Sequence, residues 1–179
     1  MASQLTDSIL MVSPESFGYN PQTAGSNSFQ NKPEYDPETL RKKALEEFNG
    51  MTKKLTNEGV DVLVLGNDTE VDVPDAVFPN NWFATYEDGT VILFPMLSEN
   101  RRLERSKDTI TEVMESSGFE IKRYVDYSKY EKQGLILEGT GSLVLDRKNN
   151  AVFAIESERT NRILFERYCD EMKVPSSNR

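Results

Sequence analysis

The stretch WFATYEDGTVILF at positions 82–94 and the stretch SLVLDRKNNAVFAI at positions 142–155 follow one plan. In each, a β-forming run meets a turn rich in Asp, Gly or Asn and resumes as a second apolar run, which is the pattern of a β-hairpin. The first reads as Trp82 to Tyr86, a turn at Glu87-Asp88-Gly89, then Thr90 to Phe94. The second reads as Ser142 to Leu145, a turn at Asp146 to Asn150, then Ala151 to Ile155. Val91 and Ala151 are equivalent, 60 residues apart. At that offset Ser98-Glu99-Asn100-Arg101-Arg102-Leu103 lies over Glu158-Arg159-Thr160-Asn161-Arg162-Ile163, and each is expected to open a helix. Ser116-Ser117-Gly118 lies over Ser176-Ser177-Asn178, where Gly or Asn suits the left-handed position that ends one.

Outward from this pair, Phe119 to Tyr124 reads as a strand, so the unit is strand, strand, helix, strand. The earlier chain carries parts of the same unit. Ser8 to Val12 is a short apolar run expected to be a buried strand. Asp36 is a helix cap, Pro37 suits the first helical position and Glu38 complements the helix dipole. Leu40, Ala44, Phe48, Met51 and Leu55 mark one face, Gly59 stops the helix, and Val60 to Leu65 is the next strand. The fold class is therefore α/β, one domain over 1–179 with units at roughly 8–65, 75–130 and 135–179. Residues 13–36 have no periodicity, and so long an irregular stretch is either a functional flap or disordered. A repeat unit cannot bury its apolar face alone, and the next strand would fall at about residue 179, so the chain is expected to be the front part of a larger closed protein.

Composition removes several chemistries. The 179 residues include 30 acidic and 21 basic side chains, one cysteine and no histidine. That excludes a Ser-His-Asp triad, a His-based zinc site, an intrachain disulfide and any paired-cysteine metal site within the chain. No metal or other cofactor is expected. The net charge of −9 disfavours nucleic acid, and no apolar run approaches the ~20 residues that cross a bilayer. Few cysteines and a polar start suit a cytoplasmic setting.

Three constellations carry candidate chemistry. Val73-Pro74-Asp75-Ala76-Val77-Phe78-Pro79-Asn80-Asn81-Trp82 sets a carboxylate and two amides among aromatic rings, suited to a small polar planar group, although Pro, Asp and Asn also make turns for local reasons. In Leu135-Ile136-Leu137-Glu138-Gly139-Thr140-Gly141-Ser142, Glu138 follows three apolar residues, so a partly buried carboxylate there needs a cationic partner, and its glycines admit a ligand or another backbone. It is no phosphate loop, for it lacks the Gly-Lys-Ser/Thr ending and a following helix start. Arg101, Arg102 and Arg159 stand at expected helix starts, where the dipole disfavours cations and a bound anion such as a carboxylate would explain them; a surface ion pair with Glu104 or Glu158 is the alternative. Cys169, mid-helix beside Tyr168 and Met172, reads as a packed core thiol.

Pro74-Asp75-Ala76-Val77-Phe78, Asn100-Arg101-Arg102-Leu103-Glu104, Leu137-Glu138-Gly139 and Ser157-Glu158-Arg159-Thr160-Asn161 together resemble successive motifs of the guanidino-group modifying enzymes. That superfamily holds the arginine deiminases, the dimethylarginine dimethylaminohydrolases and the amidinotransferase-like proteins. Met11-Val12-Ser13-Pro14, Phe29-Gln30 and Phe78-Pro79-Asn80-Asn81-Trp82 are most similar to the citrulline-hydrolysing, amidinotransferase-like branch. The resemblance implies a pentein-type α/β propeller of ββαβ units, here about three of five. It implies hydrolysis at the carbon–nitrogen bond of citrulline, arginine or a methylarginine through a cysteine thiolate. By the same resemblance Glu138 is the catalytic carboxylate, while Asp75, Phe78, Asn81, Arg101 and Arg159 bind the substrate, Arg101 and Arg159 at its α-carboxylate. The family's histidine and nucleophilic cysteine have no counterpart here, so the chain alone is expected to be inactive. The partner is a small molecule, not nucleic acid or membrane, and a homodimer is compatible. Asn81 stands where deiminases carry an aspartate, which suits a neutral ureido group better than a cationic guanidinium. Thr140-Gly141 replaces the family's Gly-Asp, so that motif's second carboxylate is missing from its usual place. The alternative is a non-catalytic binding module on the same fold, or an interaction domain whose repeat is coincidental.

Overall fold

The structure is a computed structural model and describes residues 4–66 and 71–174. Its elements in chain order are β1 (Ser8–Val12), α1 (Pro37–Asn57), β2 (Asp61–Leu65), β3 (Phe83–Thr85), β4 (Thr90–Leu93), α2 (Glu99–Arg102), α3 (Lys107–Ser116), β5 (Arg123–Asp126), α4 (Gly139–Ser142), β6 (Leu143–Asp146), β7 (Ala151–Ala154) and α5 (Arg162–Glu171). They belong to two compact units that cut across the sequence repeats. One holds the described residues among Met1–Thr6, Asn80–Leu97 and Ile121–Arg179; the other holds those of Asp7–Pro79 and Ser98–Glu120. We call them the hairpin unit and the flap unit.

In the flap unit β1 and β2 pair in parallel, Ser8 opposite Asp61 through Val12 opposite Leu65. Asp36 caps α1 as its sequence requires, accepting from the Glu38 and Thr39 amides, and Gly59 ends the segment at φ +85. Leu40, Ala44, Phe48 and Leu55 are half-buried, but Met51 is 47% exposed and Thr52 holds the stripe instead. Stepping four residues from Phe48 follows the helical turn more closely than stepping three. Val12, Leu65, Val73 and Ala76 form the buried cluster, flanked by Leu10, Val71 and Val113. The expectation that all of Ser8 to Val12 is buried fails: only Val12 is, the rest being half-buried against the single neighbour β2.

In the hairpin unit β3 and β4 pair antiparallel, and β4 pairs in parallel with β5. The chain order over 83–126 is strand, strand, two helices (the one-turn α2 and the longer α3), strand. The second hairpin, β6 with β7, places Leu145 opposite Val152 where the first places Ala84 opposite Ile92. Ile92 to Val152 keeps the 60-residue offset, whereas the connection in the second hairpin is one residue shorter. Gly89 at φ 82 and Asn150 at φ 51 make the left-handed step in the two turns. Ile92, Phe94, Tyr127, Leu137, Leu143, Leu164, Tyr168 and Cys169 form this unit's core. Cys169 is 1% exposed there and burial pushes its thiol pKa up, so it packs as the sequence suggests.

Three sequence expectations shift. The strand expected at Phe119 begins at Arg123, because Gly118 turns left-handed and the Phe119 amide is spent on the Met114 carbonyl of the ending helix. The helix expected to open at Ser98 is one turn, α2; the longer α3 starts anew with Ser106 as its cap. The helix expected to open near Glu158 begins at Arg162, where Asn161 accepts from the Ile163 and Leu164 amides. Ser176-Ser177-Asn178, expected to end it, lies outside the described residues.

Candidate functional site

In the hairpin unit the apolar run Leu135-Ile136-Leu137 carries Glu138 into the interior, where it is 2% exposed. A carboxylate so placed is stable only with partners. Glu138 Oε2 accepts from Arg159 Nε at 2.6 Å and lies 2.6 Å from Arg159 Nη2; Oε1 accepts from the Leu97 amide at 2.9 Å. The cation that the sequence demanded for Glu138 is Arg159 itself. The main chain fixes the pair from both sides. Leu137 bridges Thr160, the Asn161 amide donates to the Ile136 carbonyl at 2.7 Å, and the Ser142 hydroxyl donates to the Arg159 carbonyl at 2.5 Å.

The two glycines after Glu138 have steric reasons. A Cβ on Gly139 would collide with the Asn80 carbonyl oxygen, and one on Gly141 would stand 2.5 Å from Arg159 Nη2 and 2.9 Å from Asn81 Nδ2. The close approach read from the sequence is therefore made by protein atoms. Asn80 also donates to the Thr140 hydroxyl at 2.6 Å. A single helical turn, α4, does follow Glu138, contrary to the expectation of none; the Ser142 amide closes it onto the Glu138 carbonyl at 2.7 Å. Asn81 is 8% exposed. Trp82 is 2% exposed, and its Nε1 has no hydrogen-bond partner among the described residues.

In the flap unit the Val73–Phe78 segment turns twice, the Ala76 amide meeting the Val73 carbonyl and the Phe78 amide meeting the Asp75 carbonyl. This sinks Asp75 to 6% exposure while Phe78 stays 47% exposed. Asp75 Oδ2 accepts from Asn20 Nδ2 at 2.7 Å and from the Thr23 hydroxyl at 3.1 Å. Arg101, 4% exposed, donates Nη2 to the Asp75 and Phe78 carbonyls and pairs with Glu104 through Nε at 2.9 Å and Nη2 at 3.0 Å.

The helix-start argument for the arginines does not hold in this geometry. Arg101 and Arg102 sit in the last turn of the four-residue α2, where a cation suits the dipole, and Arg159 lies in the turn before α5. Arg101 and Arg159 each have a carboxylate of the same unit, Glu104 and Glu138, as partner. Asp75, Phe78 and Arg101 come together in the flap unit, and Glu138, Arg159 and Asn81 in the hairpin unit. Sequence reading missed Asn20, Thr23, Ser142 and the Leu97 amide. In an irregular stretch Asn and Thr look like turn formers, and a main-chain donor leaves no mark in a sequence. Among the described residues no group of three or more carboxylate, histidine or cysteine side chains could hold a metal, and no helix is long and apolar enough to cross a membrane.

Residues 13–175 match the family model described as N,N dimethylarginine dimethylhydrolase, eukaryotic. The chain belongs to that family. No curated protein matches it. Among solved structures it is similar to the substrate-bound N-terminal domain of ArgZ, an arginine dihydrolase from the ornithine–ammonia cycle in cyanobacteria, with TM-score 0.65 and 19% identity over 93% of this chain and 55% of that one. Unliganded AgrE gives TM-score 0.62 and 24% identity over 88% of this chain and 21% of that one. A dimethylarginine dimethylaminohydrolase variant bearing an S-methyl-L-thiocitrulline adduct gives 0.60 and 19%, over 93% and 56%. The chain thus spans about half the length of the domains it matches most fully. The shared architecture is the pentein-type α/β fold expected from the motifs.

Proposed function

We propose that this family member serves hydrolysis of a guanidino or ureido carbon–nitrogen bond on an arginine-like amino acid. The observation that carries this reading is the buried Glu138–Arg159 pair, held in a rigid main-chain frame at family motif positions. A buried carboxylate paired with an arginine is suited to orient a catalytic base and to meet N–H donors of a substrate. Asp75 supplies a second buried carboxylate, and Phe78 an exposed ring suited to a planar group. On this reading Glu138 is catalytic, and Asp75, Phe78, Asn81, Arg101 and Arg159 bind or frame the substrate.

The covalent step would need a thiolate attacking the central carbon, with ammonia or an amine leaving and water releasing the product. Cys169 is 1% exposed in the core and its thiol is pushed up by burial, so it does not suit that step. Residues 1–179 hold no histidine, and their single cysteine is buried, so on this reading the 179 residues by themselves are catalytically silent. Asn81 favours citrulline over arginine, since a neutral amide can donate to a ureido oxygen. Calorimetric titration of both amino acids tests the binding half of this reading. Tighter binding of arginine removes the ureido preference, and ammonia release by the purified chain removes the claim of silence.

A further inference from the structure

The irregular 13–36 stretch has a task that the reading above does not give it. Asn20 is 0% exposed and Thr23 is 7% exposed, though both belong to a segment with little regular structure. Asn20 Oδ1 accepts from the Gln22 amide at 3.1 Å and from Asn100 Nδ2 at 2.8 Å. Because the Gln22 N–H can only donate, the Asn20 oxygen faces it and the Asn20 nitrogen faces Asp75. The Thr23 hydroxyl has one proton and three acceptors in reach: Asp75 Oδ2 at 3.1 Å, Gln30 Oε1 at 3.2 Å and the Asn20 carbonyl at 3.3 Å. The Asp75 carboxylate oxygen is the nearest of the three. Gln30 locks the segment from the far side, donating to the Asn20 carbonyl at 2.7 Å.

Both donors therefore meet the same oxygen. Among the described residues no hydrogen bond reaches Asp75 Oδ1, and the nearest cation, Arg101 Nε, lies 4.0 Å from Oδ2. A nearly buried carboxylate with one oxygen doubly bonded and the other without a donor is a fixed, directional acceptor.

We propose that Asn20 and Thr23 are positioning residues that hold Asp75 by Oδ2 and thereby present Oδ1 to a nitrogen-bound hydrogen of the substrate. The inference rests on the guanidino or ureido reading and adds the means by which the flap sets the angle of that contact. An amino acid that offers one N–H toward Oδ1 is the class of ligand it takes.

Two measurements test it separately from the reading beneath it. First, L-citrulline and L-arginine are titrated calorimetrically into the 179-residue chain and into Thr23→Val, Thr23→Ser and Asn20→Ala, with melting temperatures as a control. Thr23→Val keeps the shape and removes the hydroxyl. It should weaken binding about tenfold, as expected for a lost hydrogen bond to a charged group, and Thr23→Ser should return it to within about twofold. Unchanged affinity in a folded Thr23→Val, or a Thr23→Ser as weak as Thr23→Val, overturns the proposal while citrulline binding by the wild type leaves the underlying reading standing. Second, hydrogen exchange of the Asn20 side-chain amide is followed by NMR in the wild type and in Asp75→Ala. Acceleration of at least about tenfold in the variant supports the clamp; equal rates overturn it even when no amino acid binds. Absence of binding by the wild type counts against the guanidino reading, not against the clamp.

Discussion

Replacing Arg159 by methionine isolates the Glu138 carboxylate. The methionine fills most of the space of the arginine stem but removes the charge and both nitrogens that lie 2.6 Å from Oε2. Oε1 keeps the Leu97 amide at 2.9 Å, so Glu138 loses its cation and retains one neutral donor. Breaking a fully buried pair costs about 3–5 kcal/mol. Here the Arg159 side chain is 27% exposed, so water reaches the edge of the site and the cost falls to about 2–3 kcal/mol. Glu138→Gln in the wild-type background leaves Arg159 free to turn toward solvent and should cost less, about 1–2 kcal/mol. In the double variant no buried charge is stranded, and it should be more stable than Arg159→Met alone. Urea unfolding of the four proteins gives the coupling directly: a slope of about 2 kcal/mol per M places the Arg159→Met midpoint roughly 1 M lower. A shift below about 0.3 M, or strictly additive single changes, would refute the claim that Glu138 depends on Arg159.

Gly139→Ala should lower the melting temperature by several degrees at least, because its Cβ meets a main-chain oxygen rather than a flexible side chain, and calorimetry of the variant reads it. A smaller loss is expected for Gly141→Ala, where Arg159 and Asn81 side-chain ends can yield. Cys169 should react with a thiol reagent only on unfolding: slow in buffer, immediate in urea, since burial both hides the thiol and pushes its pKa up. Asp36, Asp88 and Asp146 are held below the ordinary carboxylate value, chiefly by side-chain hydrogen bonds from Thr39, Thr90 and Asn149. Their stabilisation is complete above the unfolded value near 3.8 and is lost as the pH falls through the lowered folded values, so melting temperatures recorded below pH 4 should drop less in Asp88→Asn than in the wild type.

The hairpins, the α1 cap and the core thiol were legible because each depends on neighbours in sequence: Gly89 and Asn150 for φ, Asp36 for two adjacent amides, Cys169 for the apolar residues around it. The need of Glu138 for a cation was legible too, from the apolar run before it, and so was the family. The identity of that cation was not. The bound-anion reading of the arginines needs long helices opening at Ser98 and near Glu158; α2 opens at Ser98 but is a single turn and α5 opens at Arg162, so for Arg101 the ion-pair alternative with Glu104 holds. Helix boundaries depend on where the chain exhausts its hydrogen bonds, as at Phe119 onto Met114, and a repeat offset carries no such information. Asn20 and Thr23 escaped notice because their partner, Asp75, is 52 or more residues away.

The central claim is that these residues recognise a guanidino or ureido amino acid, and it is tested most directly by titrating L-citrulline and L-arginine into the chain and into Glu138→Gln. The account predicts binding by the wild type, citrulline tighter than arginine, and at least a tenfold loss for Glu138→Gln with the fold intact. No binding of either amino acid, or binding that Glu138→Gln leaves untouched, would contradict it.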